Sequence, residues 1–434
     1  MKLTRRTTLV AGVLAAGLAL TATGCGTGDS GGSAANANGK TVVRLGWWGN
    51  DVRNKLTTDV VNEFEKENPD IKVQLEPGTW STYWDKLATQ VAGGSAPDVI
   101  QMDESYLTQY STNGTLLDLK KAGLDMSNFG SGTSDMGTTP SGTFGVVAGI
   151  NAPVVLANPK VLKAANVAMP DDKTWTWDSL AKDAEKVTAN TPSGTYGSAN
   201  WAYTDFMLRL WLRQHGANEY DGSKPGFTAS QLAPFFQQAL DLQKSKAFPS
   251  ASLASQDSTT SQDQGMAATN KVAFSYWWSN QITALNKDTG QDLKMLMPPS
   301  ESGNAKDTQL YYKASMLWSI NKSTKVQAAA LKLVDFLVNS PTAGKILGTE
   351  RGIPANSKVL DAITPQMSDT DKQVSDYLKS ISGDLGPTMG LTPPGASNAN
   401  YATYVTNLLF DKTSPQQAAQ DYQNAVATAL KGKS

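Results

Sequence analysis

The sequence predicts an α/β protein of two domains, each built on a mainly parallel sheet that helices flank. From residue 41 onward, short runs of β-favouring residues alternate with amphipathic helical patterns, and this order is typical of a parallel sheet covered on both faces. The chain has 434 residues, which is too long for one compact core. In sheets of this kind, a ligand crevice opens beyond the carboxyl ends of the strands.

The first elements predicted are strand, helix, strand, helix and strand. Residues 41–47 are rich in β-favouring types, and apolar residues then recur every four positions along one helix face: Val52, Leu56, Val60 and Phe64. Asn68-Pro69 ends this helix. Alternation predicts a second strand at 71–76, a spacing of four predicts a helix over 83–91, and a third strand follows at 98–102.

Later segments repeat the two patterns. An extended apolar run at 144–150 follows a stretch rich in Gly, Ser and Thr, and it predicts a strand that crosses between the domains. A further strand is predicted at 272–276. Amphipathic helices are predicted at 177–187, 331–337 and 415–430, the last with a serine cap and a proline at its first position.

The N-terminus has the layout of an export signal. Basic residues precede an uncharged apolar run at 9–20, so residues 1–24 are predicted to be a signal peptide. The run ends in small residues before Cys25, which resembles the lipobox of bacterial lipoproteins and implies a lipid anchor on the extracytoplasmic face of the cell membrane. Residues 25–40 have the composition of a flexible tether. The alternatives are an uncleaved membrane anchor and an ordinary secretory signal with a chance cysteine.

Composition excludes several classes of function. Lys and Arg total 38 while Asp and Glu total 39, so the chain lacks the basic excess that nucleic-acid binding requires. Cys25 is the only cysteine and His215 the only histidine, so the sequence predicts no disulfide, no metal or cofactor site and no catalytic triad. His215 is expected to end a helix.

Several short motifs follow one another along the chain in a set order. They are Trp47-Trp48-Gly49, Ala96-Pro97-Asp98-Val99, Gly265-Met266-Ala267-Ala268, Trp277-Trp278 and Arg351-Gly352-Ile353-Pro354. Together with the lipobox, this ordered set resembles the extracellular solute-binding proteins of bacterial ABC sugar importers, the maltose-binding-protein-like group. The resemblance extends from residue 41 to the C-terminus.

The resemblance implies two α/β lobes, each discontinuous in sequence, that close on a ligand by hinge motion. Lobe one would comprise residues 41–148 and 313–362, and lobe two residues 149–312 and 363–434. The implied function is that of a monomer that captures a sugar, in particular a di- or oligosaccharide, and delivers it to an ABC permease without breaking a bond. Where family members commonly carry a Tyr-Asn pair after the first crossing, this chain has Ala157-Asn158.

The candidate ligand-binding residues are aromatic or polar side chains, most of them at predicted strand ends and turns, with Trp84 on the second predicted helix. Flat aromatic surfaces suit the C–H face of a sugar, and planar polar groups suit its hydroxyls. The residues are Trp47, Trp48, Asn50, Asp51, Trp84, Asp103, Trp201, Asp205, Trp277, Trp278, Tyr312 and Arg351. For Asp103, Trp201 and Asp205, the family resemblance supports the assignment.

Several candidates have a structural alternative. A cap of the following helix explains Asp51 equally well, and core packing explains Trp84 equally well. Adjacent strand residues face opposite ways, so one of Trp277 and Trp278 is expected to be buried. Arg351 is either a ligand contact or one half of a salt bridge between the lobes.

Two other functions compete with sugar capture. An exported glycosidase could use the same aromatic cleft with two carboxylates as acid and nucleophile. The order of the motifs favours the binding protein, because it leaves no region for a separate catalytic fold. The other alternative is the same fold with a non-sugar solute, and a charged solute would need buried counter-charges, for which Arg351 and Lys313 are the obvious residues.

Overall fold

A computed structural model of the protein describes residues 39–49, 51–130 and 132–431, and it has the two-lobed α/β architecture predicted from the sequence. Cys25, Asn50 and the predicted signal peptide lie outside the described residues. Within the described part of the chain, no helix combines the length and the apolar character needed to cross a membrane.

The first lobe is built on a five-stranded sheet. Its strands are β1 (Thr41–Trp48), β2 (Ile71–Gly78), β3 (Val99–Met102), β6 (Val146–Asn151) and β13 (Lys313–Ile320). They lie in the order β2-β1-β3-β13-β6. β1 is parallel to β2 and β3, whereas β13 is antiparallel to both of its neighbours.

The second lobe is built on a four-stranded sheet. Its strands are β7 (Pro153–Ala157), β8 (Tyr196–Ser198), β11 (Val272–Trp278) and β12 (Lys294–Leu296), in the order β12-β7-β11-β8. β11 is parallel to β8 and antiparallel to β7, and β12 is antiparallel to β7. Both sheets are therefore mixed, where a mainly parallel arrangement was expected. Consecutive parallel strands of one sheet are joined by a crossover connection, usually a helix. A strand whose chain comes from the other lobe has no such connection, so it can lie antiparallel to its neighbours.

Two short ribbons and the helices complete the lobes. The ribbons are β4 (Thr138–Thr139) with β5 (Gly142–Thr143), and β9 (Tyr220–Asp221) with β10 (Lys224–Pro225). The helices of the first lobe are α1 (Asp51–Glu67), α2 (Trp80–Ala92), α3 (Glu104–Thr112), α10 (Gln327–Asn339), α11 (Pro341–Leu347) and α12 (Ser357–Ile363). Those of the second lobe are α4 (Pro159–Ala164), α5 (Trp177–Asn190), α6 (Asp205–Gln214), α7 (Ala229–Lys244), α8 (Ala251–Asp257), α9 (Ile282–Thr289), α13 (Asp369–Ile381), α14 (Tyr401–Leu409) and α15 (Pro415–Lys431).

Capping side chains fix where several helices begin. Asp103 accepts the backbone N–H of Ser105 at the start of α3, and Asn158 accepts two backbone N–H groups at the start of α4. Asn158 therefore caps α4 at the position where family members commonly carry the Asn of their Tyr-Asn pair. His215 is the cap at the end of α6, as the sequence predicted.

The chain passes between the lobes in three places. The first is Ala152, between β6 and β7, whose carbonyl accepts the backbone N–H of Ser279 at 3.0 Å. The second is the segment that leads into β13 at Tyr312, and the third joins α12 to α13. Helix α13 binds the first two, because the Tyr377 hydroxyl donates to the Pro153 carbonyl at 2.6 Å and the Tyr312 hydroxyl donates to the Leu378 carbonyl at 2.7 Å.

Candidate functional site

Five aromatic rings of the first lobe form a cluster at the carboxyl ends of β1, β2 and β3. The aromatic cluster consists of Trp48, Trp80, Tyr83, Trp84 and Tyr106. Trp84 stacks on Tyr106 with a centroid distance of 3.7 Å, and Trp80 meets Trp48 edge-on at 5.2 Å. Trp48 and Trp84 are buried, but Trp80 is 49% exposed. The cluster therefore offers one open indole face on a rigid base.

Two carboxylates at the start of α3 lie beside the aromatic cluster. The ammonium group of Lys313 approaches Asp103 at 3.7 Å and Glu104 at 3.8 Å. Burial raises the pKa of the Glu104 carboxyl, and the positive charges of Lys313 and Arg209 only partly offset that effect. Burial and the Asp103 carboxylate raise the pKa of the Tyr106 hydroxyl. The first lobe thus presents aromatic surface and carboxylate oxygens at the same edge.

Helix α6 presents the facing charges from the second lobe. Arg209 lies one turn after Asp205 and approaches its carboxylate at 3.4 Å, while its Nε donates to Glu219 at 2.7 Å. The same guanidinium comes within 4.0 Å of Glu104 on α3. Arg209 and Glu104 therefore bring the two lobes into direct electrostatic contact.

The two tryptophans at the end of β11 face different surroundings, and both are half-buried. The ammonium group of Lys313 lies 5.2 Å from the centre of the Trp278 ring, which also meets Phe206 at 5.1 Å and Tyr311 at 6.4 Å. Trp277 lines a recess of about 250 Å³ together with Asn200 and Tyr203. The side-chain N–H groups of Trp277 and Asn200 are buried and have no hydrogen-bond partner within the described chain. Donors of this kind can bind oxygen atoms of a ligand.

Comparison with known proteins identifies the family. A family model described as bacterial extracellular solute-binding protein matches residues 59–377, which is more than half of the chain. This chain belongs to that family.

Relatives and solved structures agree with the assignment of this chain to the solute-binding family. An uncharacterized lipoprotein of Streptomyces antibioticus is 32% identical over 173 residues, which are 38% of this chain and 37% of that relative. The chain thus spans little more than a third of that relative's length. A solved extracellular solute-binding protein family 1 structure from Alicyclobacillus acidocaldarius is 27% identical, with a TM-score of 0.71 over 91% of this chain and 100% of the other. A periplasmic oligogalacturonide binding protein from Yersinia enterocolitica shares the fold, with 23% identity and a TM-score of 0.75 over 90% and 99% of the two chains.

The solute-binding protein brings six sequence-predicted residues to the facing edges of its lobes. They are Trp48, Trp84, Asp103, Asp205, Trp277 and Trp278. Asp51 is exposed at the first position of α1. Tyr312 lies at the second crossing, half-buried, and burial raises the pKa of its hydroxyl to about 12.

Two of the predicted tryptophans lie in the core. Trp47 is 1% exposed, and its indole Nε1 donates to Asn54 at 3.0 Å. Trp201 is fully buried, with ring contacts to Trp177 at 5.3 Å and to Phe248 at 4.7 Å. Other side chains enclose both rings, so we leave them out of the proposed site. The indole N–H of Trp201 is buried and has no hydrogen-bond partner among the described residues.

Arg351 makes its contacts inside the first lobe. Its guanidinium donates to Gln101 at 3.1 Å and to Thr57 at 2.8 Å, and its nearest carboxylate is that of the adjacent Glu350 at 3.9 Å. Only 4% of the residue is exposed, and burial, with the nearby charge of Arg53, lowers its pKa to about 9. None of these partners belongs to the second lobe. We therefore leave Arg351 out of the proposed site.

The structure adds residues that sequence reasoning passed over. These are Trp80, Glu104, Tyr106 and Arg209. Trp80 opens the helix that follows β2, and Glu104 and Tyr106 directly follow Asp103, so their position after strand ends was a usable signal. Arg209 lies four residues after Asp205, the spacing that puts two side chains on one helix face. Across the described ranges, no group of three or more His, Cys, Asp or Glu residues could hold a metal ion.

Proposed function

We propose that this solute-binding protein captures a sugar between its two lobes and delivers it intact to the permease of an ABC importer. The observation that carries the proposal is the aromatic cluster, with the exposed face of Trp80, beside the carboxylates of α3 and opposite Arg209 and Trp278. An aromatic face packs against the C–H groups of a pyranose ring, while carboxylate and guanidinium groups bind its hydroxyls. The oligosaccharide named for the Yersinia protein supports the same class of ligand for a chain of this fold.

Closure of the lobes supplies the selectivity in this proposal. We place the hinge at Ala152, at Tyr312 and between α12 and α13. Residues 41–151 and 313–362 then move as one lobe and the rest of the folded chain as the other, because β6 belongs to the first sheet as far as Asn151 and so extends beyond the expected boundary at 148. In the closed form α3 and α6 meet beside the bound sugar, and the approach of Arg209 to Glu104 at 4.0 Å supports this arrangement. Ligand that contacts both lobes favours the closed form, because only that form allows all of its contacts.

Attachment to the membrane completes the proposed function. Lipid on Cys25 and the tether of residues 25–40 would hold a monomeric protein on the extracytoplasmic face, near its permease. The description of the Streptomyces relative as a lipoprotein supports this placement. Two acyl chains are enough for stable attachment.

Intrinsic tryptophan fluorescence of the purified protein, titrated with mono-, di- and oligosaccharides, tests the proposal. The same mixtures are assayed for new reducing ends. We expect a saturable change with at least one saccharide and no new reducing ends. Accumulating reducing ends would contradict capture without reaction, and no response to any saccharide would contradict the ligand class.

A further inference from the structure

A second cavity borders the C-terminal end of α6. It measures about 540 Å³ and lies between the end of α6 and the segment 387–393, and Arg213 lines it. Arg213 is one turn beyond Arg209 on the same helix face, so the two guanidinium groups follow each other along the helix. The cavity is thus an extension of the surface that carries Arg209.

Arg213 differs from the other arginines that the structure describes. Each of the others has a carboxylate within 4.0 Å: Arg44 with Glu76, Arg53 with Glu350, Arg209 with Glu219 and Arg351 with Glu350. Among the described residues, no carboxylate lies within 4.0 Å of Arg213. An arginine that is partly desolvated without a counter-charge is unfavourable, so this position stands out.

Neutral groups hold Arg213 in place. One terminal nitrogen donates to the Pro387 carbonyl at 2.5 Å, the other lies 2.9 Å from the Met389 sulfur, and the guanidinium lies 5.5 Å above the Tyr311 ring. Burial lowers the pKa of Arg213. The contacts orient the guanidinium without neutralising its charge, and N–H groups remain for another acceptor.

The acidic residues that line the same cavity have other partners. Glu219 accepts hydrogen bonds from Arg209 at 2.7 Å and from the Tyr422 hydroxyl at 2.6 Å. Asp221 pairs with Lys224 at 3.1 Å on the exposed ribbon. Neither carboxylate neutralises the positive charge of Arg213, so the guanidinium is available to an anionic group of a ligand.

The cavity adjoins a second one that both lobes line. This neighbouring cavity of about 460 Å³ shares Gly222, Gly390, Leu391 and Pro393 with it and is also lined by Thr108 of α3 and Pro140 of the first lobe. Helix α3 is the same helix that carries Glu104 opposite Arg209. A ligand in the interlobe gap can therefore extend towards Arg213.

We propose that Arg213 binds the carboxylate of an acidic sugar residue, so that the preferred ligand is a saccharide containing a uronic acid. This inference rests on the proposed capture of a sugar and specifies its chemical class. The planar guanidinium matches the geometry of a carboxylate, which lysine or a neutral amide cannot reproduce. Neutral sugars bind the rest of the site without this contact.

Isothermal titration calorimetry with matched disaccharides tests the inference. Galacturonate, glucuronate and mannuronate disaccharides are each compared with the neutral hexose disaccharide of the same linkage, using the wild type, Arg213→Gln, Arg213→Lys and the control Lys412→Gln. Lys412 is an exposed lysine of the second lobe, so the control removes the same charge elsewhere. Acetate and inorganic phosphate are titrated as free anions, and circular dichroism checks that each variant is folded.

We expect the wild type and Lys412→Gln to bind one acidic disaccharide about ten- to a hundredfold more tightly than its neutral partner, since a hydrogen bond to a charged group is lost in the neutral sugar. Arg213→Gln should abolish this preference and leave the neutral affinity unchanged, and Arg213→Lys should keep part of it. Equal binding of acidic and neutral sugars, or a preference that survives Arg213→Gln, would overturn the inference and leave sugar capture standing. Binding of free anions through Arg213 with no saccharide bound would overturn both the acidic sugar and the proposed function.

Discussion

The tryptophans of this protein differ in how much of each ring other side chains cover. Trp80 is 49% exposed, whereas Trp201 has no exposed surface. We predict that Trp80→Ala lowers sugar affinity about tenfold or more, because a central aromatic contact carries a large share of binding energy. The same substitution should lower the free energy of unfolding by about 1 kcal/mol or less. Calorimetric titration and urea unfolding measure the two effects.

Two matched substitutions distinguish binding from stability. Trp201→Ala should cost about 3–5 kcal/mol of unfolding free energy, as expected when a buried aromatic ring is removed. Phe410→Ala removes another exposed ring, 44% exposed, at the end of α14. Phe410→Ala should change neither the sugar affinity nor the free energy of unfolding measurably. A loss of affinity equal to that of Trp80→Ala would contradict the role given to Trp80.

The Glu104 carboxyl gives the protein a pH-dependent stability. Because burial raises its native pKa above the ordinary 4.5, the folded protein binds more protons than the unfolded chain in the range just above that value. The free energy of unfolding of the wild type, relative to Glu104→Gln, should therefore fall as the pH rises from 4 to 7. Urea unfolding at a series of pH values measures this difference. Glu63→Gln, which removes a partly exposed carboxylate paired with Lys66, is the matched control.

Residue type and position after a strand predicted only part of the site. Trp48, Asp103 and Trp278 could be predicted in this way because the carboxyl ends of the strands meet at one edge. Trp201 could not be separated from them, since its burial depends on Phe248 and other residues distant in sequence. Arg351 presents the same difficulty, because its partners Thr57 and Gln101 precede it by 294 and 250 residues.

At the scale of elements, strand β6 packs closely against the loop after α11. The backbone of Ile150 exchanges hydrogen bonds with Ile353 at 2.8 and 3.2 Å, and a Cβ on Gly149 would overlap the carbonyl oxygen of Arg351. We predict that Gly149→Ala lowers the free energy of unfolding by about 3 kcal/mol, because backbone atoms cannot move aside as a flexible side chain can. Thermal or urea unfolding measures the loss.

Gly383→Ala is the control for this substitution. No atom lies within 4 Å of the position where its Cβ would be. The substitution should change the free energy of unfolding by about 0.5 kcal/mol or less. Equal losses at Gly149 and Gly383 would show that the contact between β6 and the loop is not the cause.

Local patterns predicted the elements better than their arrangement. The spacing of four in α1 and the alternation in β2 follow from which face each element buries, so a short window of sequence contains the signal. The antiparallel pairing of β13 with β3 brings together residues more than two hundred positions apart. The residues that flank β13 and β3 in the sequence do not indicate that the two strands run antiparallel. Local patterns therefore predicted a mainly parallel sheet.

At the scale of the whole molecule, the proposed lipid anchor at Cys25 makes a prediction about where the protein is found. We predict that the wild type fractionates with membranes and is released by detergent, whereas Cys25→Ser is recovered in the soluble fraction, because two acyl chains provide stable attachment. Ser33→Ala in the tether is the matched control and should stay with the membranes. Recovery of Cys25→Ser with the membranes would contradict lipidation.

The place of β13 in the first sheet has a consequence for biosynthesis. β3 and β6 are complete by residue 151, but the strand between them is formed by residues 313–320. Until the ribosome has passed that point, the facing edges of β3 and β6 have no partner, and unpaired edges promote aggregation. A chain stopped at residue 312 should therefore fail to form a stable first lobe. We expect this late pairing to keep the first lobe of the nascent chain unfolded until residues 313–320 have been synthesised.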